Sequence, residues 1–203
     1  MTKIKISKCI ILLVLALCLS SSFMYYNQQS KEDCNVISYN KLQILSSYQK
    51  AYFNIIKKHD ALITLPIEVD YDEAEKDLVD LDKLFEEVEL KVNPNNPYLA
   101  KYKQIQEQYK TCDAETTVEI DNFMKSYFDA VNDLLKQVLN DAQNRLEPDE
   151  LKALSLDEDK WDVEVEEYRD RFDKKGFGTI GNYVYAKYRI NMMSFRILLL
   201  MLI

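Results

Sequence analysis

Glycine and proline are scarce in this 203-residue chain, with three and four respectively. A sheet sandwich or barrel turns about every 8–12 residues and is hard to build from so few breakers. Long helices are the natural alternative. The expected fold class is therefore all-α: an antiparallel helical bundle after an N-terminal signal or anchor segment. Histidine occurs once, at His59, inside the polar stretch Lys57-Lys58-His59-Asp60. No nucleophile stands beside it, so it reads as a solvent-facing or capping residue, not a catalytic base. Zinc sites of the common kinds need more Cys and His ligands than this chain supplies once its N-terminal segment is set aside. A calcium loop could be sought among Asp70, Asp72, Glu73, Glu75 and Asp77. The central glycine is missing, however, and Leu81 stands where the twelfth-position glutamate belongs. There is no Gly-rich phosphate loop. Paired carboxylates carry no signal when 34 residues are acidic. The expectation is a protein that is not an enzyme and takes no cofactor and no metal.

What is present at the N-terminus is directional. Lys3, Lys5 and Lys8 precede an unbroken apolar run from Cys9 to Leu19, which gives way to Ser20, Ser21 and Ser22. That is the order of a secretory signal, with cleavage ahead of Phe23. A spanning helix needs about 20 apolar residues and would have to recruit the serines and Phe23 to Tyr26. Retention as an uncleaved anchor is the alternative. A third is lipidation at Cys18, since Leu15-Ala16-Leu17-Cys18 approximates a bacterial lipoprotein box, with Leu17 where a small residue is wanted. The expected location is outside the cytoplasm: periplasmic, envelope-attached or extracellular. Membrane contact would come only through the N-terminal segment or a lipid.

Removing residues 1–22 takes away three lysines and no acid, so 23 basic residues face 34 acidic ones, a net charge of −11. Nucleic acid is thereby disfavoured as a partner. A field of this sign attracts cationic proteins or counter-ions, and also keeps a protein soluble. Two of the four cysteines, Cys34 and Cys112, lie beyond residue 22. In an oxidising compartment such a pair forms one disulfide, with an intermolecular bridge or free thiols as alternatives.

Apolar residues keep helical spacing along the rest of the chain. Leu42, Leu45, Tyr48, Tyr52, Ile55 and Ile56 mark a helix from Val36 to about Ile63. Leu78, Leu81, Leu84, Phe85 and Val88 mark a second, which runs to the loop Asn93-Pro94-Asn95-Asn96-Pro97. Pro97 suits the first position of a third helix carrying Tyr98, Tyr102, Ile105 and Tyr109. A fourth holds Ile120, Phe123, Met124, Tyr127, Val131, Leu134, Leu135 and Val138 and stops near Leu146. Pro148 opens a fifth, with Leu151, Leu154, Trp161, Val165, Tyr168 and Phe172, which Gly176-Phe177-Gly178 closes. The last helix runs from about Thr179 to the end, and its apolar stretch from Phe195 to Ile203 is too short to span a bilayer after Arg196. It reads as a helix buried between its neighbours, with a membrane-touching tail as the alternative. The stripes themselves signify helix packing, and the acidic runs Glu68 to Glu89 and Asp157 to Asp173 signify solvated faces.

One order of features recurs outside this chain: Cys112 followed by Asp113-Ala114-Glu115-Thr116-Thr117-Val118-Glu119, Val131-Asn132, Leu154 and Trp161, Tyr168-Arg169-Asp170, Gly176-Phe177-Gly178-Thr179-Ile180, and Arg196 ahead of Leu199 and Leu200. From Cys112 onward this resembles the LprI-type family of bacterial lysozyme inhibitors and related exported domains. Where the family carries further cysteines, this chain has Phe123 or Met124 and Phe172 or Asp173, so the family's disulfide arrangement is not carried over. Glu158 replaces a glutamine, and Trp161 stands one helical turn further from Tyr168 than the family pattern has it.

The signal-like segment and the resemblance together divide the chain into residues 1–22, an N-terminal helical region 34–111 and an LprI-like helical domain 112–203. The first region forms either its own layer or part of a single bundle with the second. The resemblance implies a protein partner, a cationic lysozyme, bound and inhibited through protein contact; a structural or adaptor protein of the envelope is the rival expectation. The acidic binding surface would be Asp157, Glu158, Asp159, Asp162, Glu166 and Asp170. Trp161 is expected to hold its helix to the core, and Arg169 to bridge an acid within the bundle.

Overall fold

The computed structural model describes residues 41–59, 71–112, 116–175 and 178–203. Lys41–Ile203 forms one compact unit, so helices on both sides of residue 112 share a core. Among the described residues the chain is helical, without strands: α1 (41–59), α2 (Tyr71–Lys91), α3 (Leu99–Gln108), α4 (Thr117–Arg145), α5 (Pro148–Lys175) and α6 (Gly178–Leu200).

Local signals explain where these helices begin. Thr116 caps α4 with a reciprocal box: its hydroxyl accepts from the Glu119 amide at 3.3 Å, while its own amide donates to the Glu119 carboxylate at 3.0 Å. Pro148 occupies the first position of α5, where its missing N–H costs nothing. In the loop before α3 the Asn96 side chain accepts from the Tyr98 amide at 3.0 Å. This turn delays helix formation, so α3 starts at Leu99, two residues later than Pro97 suggests.

Side-chain pairs fix the directions. Tyr48 meets Glu87 and Lys58 meets Asp77, so α1 and α2 run antiparallel. Lys101 with Gln137 and Tyr109 with Ser126 set α3 against α4 in the same sense. Arg196 with Glu158 and Tyr188 with Tyr168 do so for α6 and α5. By contrast α4 and α6, the most extensively packed pair, run parallel: Phe128 lies under Arg189, and Arg145 reaches the Ile203 carbonyl near both C-terminal ends.

The centre of the bundle is α6. Phe195 stacks on Tyr52 of α1 at 4.6 Å and meets Phe85 of α2 at 5.0 Å. Ser194 accepts from Gln106 of α3, Arg189 covers Phe128 of α4, and Arg196 binds α5. All five other helices therefore touch it. That surrounding explains why Ile197 to Leu200 are apolar on every side and inaccessible to water. Two inward stripes carry acids. On α2 the buried positions are Asp77, Leu81, Leu84 and Val88, which leaves Leu78, expected in the core, 48% exposed beside Asp77. Leu151, in the first turn of α5, also remains exposed. No helix among the described residues is long and apolar enough to cross a membrane.

Candidate functional site

The strongest local chemistry surrounds Arg196. An arginine between Phe195 and Ile197 on a helix enclosed by five others has no route to solvent, and its exposure is 0%. Burying a guanidinium is tolerated only with counter-charge and filled donors. The α5 carboxylates supply the charge: Asp157 Oδ2 stands 2.7 Å from Nη2, and Glu158 Oε1 accepts from Nε at 3.0 Å and from Nη2. Gln49 Oε1 of α1 accepts from Nη1 at 2.8 Å. The Trp161 ring packs 5.2 Å from the guanidinium carbon, so one face of the cation sees an aromatic ring. Burial raises the Glu158 carboxyl above its ordinary value, although the charge and hydrogen bonds of Arg196 act to lower it. This cluster joins α1, α5 and α6.

Two members of the expected acidic surface are thereby corrected. Asp157 is buried and Glu158 largely so, because both turn toward Arg196 on the stripe Leu154, Asp157, Trp161. Asp159, Asp162, Glu166 and Asp170 remain on the exposed side. Beside them on the helix Leu156 and Val163, seven residues apart, are 55% and 58% exposed. The outer face of α5 is thus acidic, with two apolar side chains along its edge.

The remaining sequence-derived positions divide in the same way. Trp161 and Tyr168 are core residues; Trp161 packs edge-on against Phe53, and Tyr168 lies 5.3 Å from Tyr188. Arg169 is exposed and 3.5 Å from Glu166, its neighbour on α5. Gly178 opens α6. Cys112 is exposed and unbridged among the described residues. Cys18, Cys34 and Gly176, with residues 1–22, lie outside the described residues, and so does the Cys34–Cys112 pairing. His59, expected to face solvent or cap its helix, is buried. It continues the inward stripe of Leu45, Tyr52 and Ile56, and its Nδ1 has no hydrogen-bond partner among the described residues. No group of three metal-ligating side chains occurs among those residues.

Two concavities were not foreseen. One, of about 910 Å³, lies among α2, α3, α4 and α6, with Cys112 on its wall. Its rings are ordered: Tyr109 stacks on Tyr127 at 4.7 Å, and the Tyr127 hydroxyl donates to Gln106, which in turn donates to Ser194. The sequence assigned these tyrosines to packing, and Tyr109, in step with Tyr102 and Ile105, gave no sign of partial exposure. The second, of about 590 Å³, is a groove between α1 and α5. Its only sequence signal is the pair Leu156 and Val163 on an otherwise polar face. No family model, curated protein or solved structure matches this chain.

Proposed function

We propose that this chain is an exported, non-catalytic binding protein of the bacterial envelope whose partner is a cationic protein. Lysozyme, the partner implied by the resemblance from Cys112 onward, is the first candidate. The observation that carries the reading is the outer face of α5, where exposed Asp159, Asp162, Glu166 and Asp170 form a band beside exposed Leu156 and Val163. Carboxylates on such a face raise the rate at which a cationic partner arrives. Affinity then comes from apolar contact with Leu156 and Val163, where the bound partner excludes water. Asp157, Glu158 and Trp161 have no part in this contact, since they hold α5 to α6.

The experiment is cell-wall lysis by added lysozyme with and without the purified protein, together with direct binding at low salt and at about 0.15 M, where fields are screened beyond ~8 Å. Slowed lysis and salt-sensitive association are expected. A folded protein that neither slows lysis nor binds at low salt removes lysozyme as partner and leaves the envelope-adaptor reading.

A further inference from the structure

Charge brings a partner to α5 but does not seat it, and the groove between α1 and α5 has the features of a seat. Phe53 of α1 forms its floor, 3% exposed and fixed by an edge-on contact with Trp161 at 5.0 Å. Leu156 and Val163 of α5 form its apolar side. Seven residues is two helical turns, so these two side chains point the same way. Isolated apolar side chains on a surface need no explanation, but two side by side along a groove form a patch.

The rim decides what enters. Lys50 and Lys160 oppose Asp159 and Glu164, and Glu164 is already held by Lys57 at 2.5 Å. The groove therefore favours neither a cationic nor an anionic side chain. An aromatic ring suits it: the apolar floor takes the ring, and the rim ammoniums can lie against its face. A second copy of this chain is a poor occupant, since two exported chains, each of net charge −11 without residues 1–22, repel. Resting on the docking reading above, we infer that the α1–α5 groove receives one aromatic side chain of the cationic partner, seated on Phe53, Leu156 and Val163.

The test titrates the purified protein with the tripeptide Lys-Trp-Lys, with Lys-Ala-Lys as control, and follows the Leu156 and Val163 methyl and Phe53 ring resonances. Saturable shifts are expected with the tryptophan peptide alone, and their loss in the Leu156→Ser/Val163→Ser variant. That variant changes only exposed side chains, and its helicity is checked by circular dichroism. No shift at millimolar peptide, equal shifts with both peptides, or shifts confined to the tyrosine-lined concavity would overturn the inference. With lysozyme as probe, the same variant should dissociate at least about tenfold faster with an unchanged association rate, as for loss of a central anchor. Lysozyme bound equally by variant and parent overturns the groove and spares the docking face. A seated peptide without lysozyme binding supports the groove and overturns lysozyme as partner.

Discussion

Replacing Arg196 by methionine should destabilise the protein strongly. Methionine fills much of the same volume, so the loss is chiefly electrostatic. The guanidinium is wholly inaccessible, with Asp157 at 2.7 Å, Glu158 at 3.0 Å and Gln49 at 2.8 Å. Removing it leaves two enclosed carboxylates facing each other without a counter-ion. Breaking a buried pair from one side typically costs about 3–5 kcal/mol, a large share of a total stability of roughly 5–15 kcal/mol. The assay is urea unfolding followed by helicity and by the fluorescence of Trp161, the chain's single tryptophan, which lies against the missing group. The triple variant Asp157→Asn/Glu158→Gln/Arg196→Met removes both signs of charge together, and should recover most of the loss. An Arg196→Met protein within about 1 kcal/mol of the parent at pH 7 would refute the argument, because the two acids would then need no cation.

Other outcomes follow from the same packing. Because burial holds the Glu158 carboxyl above its ordinary value, the folded chain binds that proton more readily than the unfolded chain. The contribution of Glu158 is thus fully favourable below the unfolded carboxylate range and is lost as pH rises through the folded value. Losing the lowering effect of Arg196 widens that window, so the Arg196→Met deficit should shrink between pH 7 and pH 5 in parallel urea titrations. The Tyr52 hydroxyl is buried with no hydrogen-bond partner among the described residues. Tyr52→Phe should therefore raise stability by about 1 kcal/mol, seen as a melting temperature higher by roughly 2–4 °C. Thr116→Ala breaks the α4 capping box and should cost about 1 kcal/mol, whereas Thr116→Ser should cost less. Asp162→Lys/Glu166→Lys/Asp170→Lys should slow association with lysozyme at low salt more than it speeds dissociation.

Helix periodicity and the rarity of glycine and proline were enough to read the all-helical architecture, because α1 to α5 each bury a stripe and only the end of α6 is buried all round. The errors occur where a polar residue holds a stripe position. Asp77 displaces Leu78, His59 lies inward beyond Ile56, and Asp157 sits between Leu154 and Trp161. Counting only apolar residues cannot register these positions, although their spacing of three and four is the same. One signal could have found the central cluster. Arg196 interrupts an apolar run, and a charge in such a run demands partners; α5 carries the adjacent acids Asp157 and Glu158. Gln49 and the tyrosine-lined concavity had no comparable signal, since their roles arise from which helices meet.

The two faces of α5 assign opposite duties to residues of the same kind. Asp157 and Glu158 neutralise a buried cation, and Asp159, Asp162, Glu166 and Asp170 face water. Reversing charge throughout the segment would therefore mix loss of folding with loss of docking. Limiting substitutions to the outer face separates them, because those side chains are exposed and surface changes of this kind usually alter stability by about 0.5 kcal/mol or less. Trp161 belongs wholly to the inner face. Its fluorescence should follow unfolding and remain insensitive to direct quenching by a partner docked on the outer face. A partner that quenches Trp161 while the helicity is unchanged would mean that binding reaches the inner face through the groove, whose Phe53 packs on Trp161 and whose Gln49 holds the guanidinium.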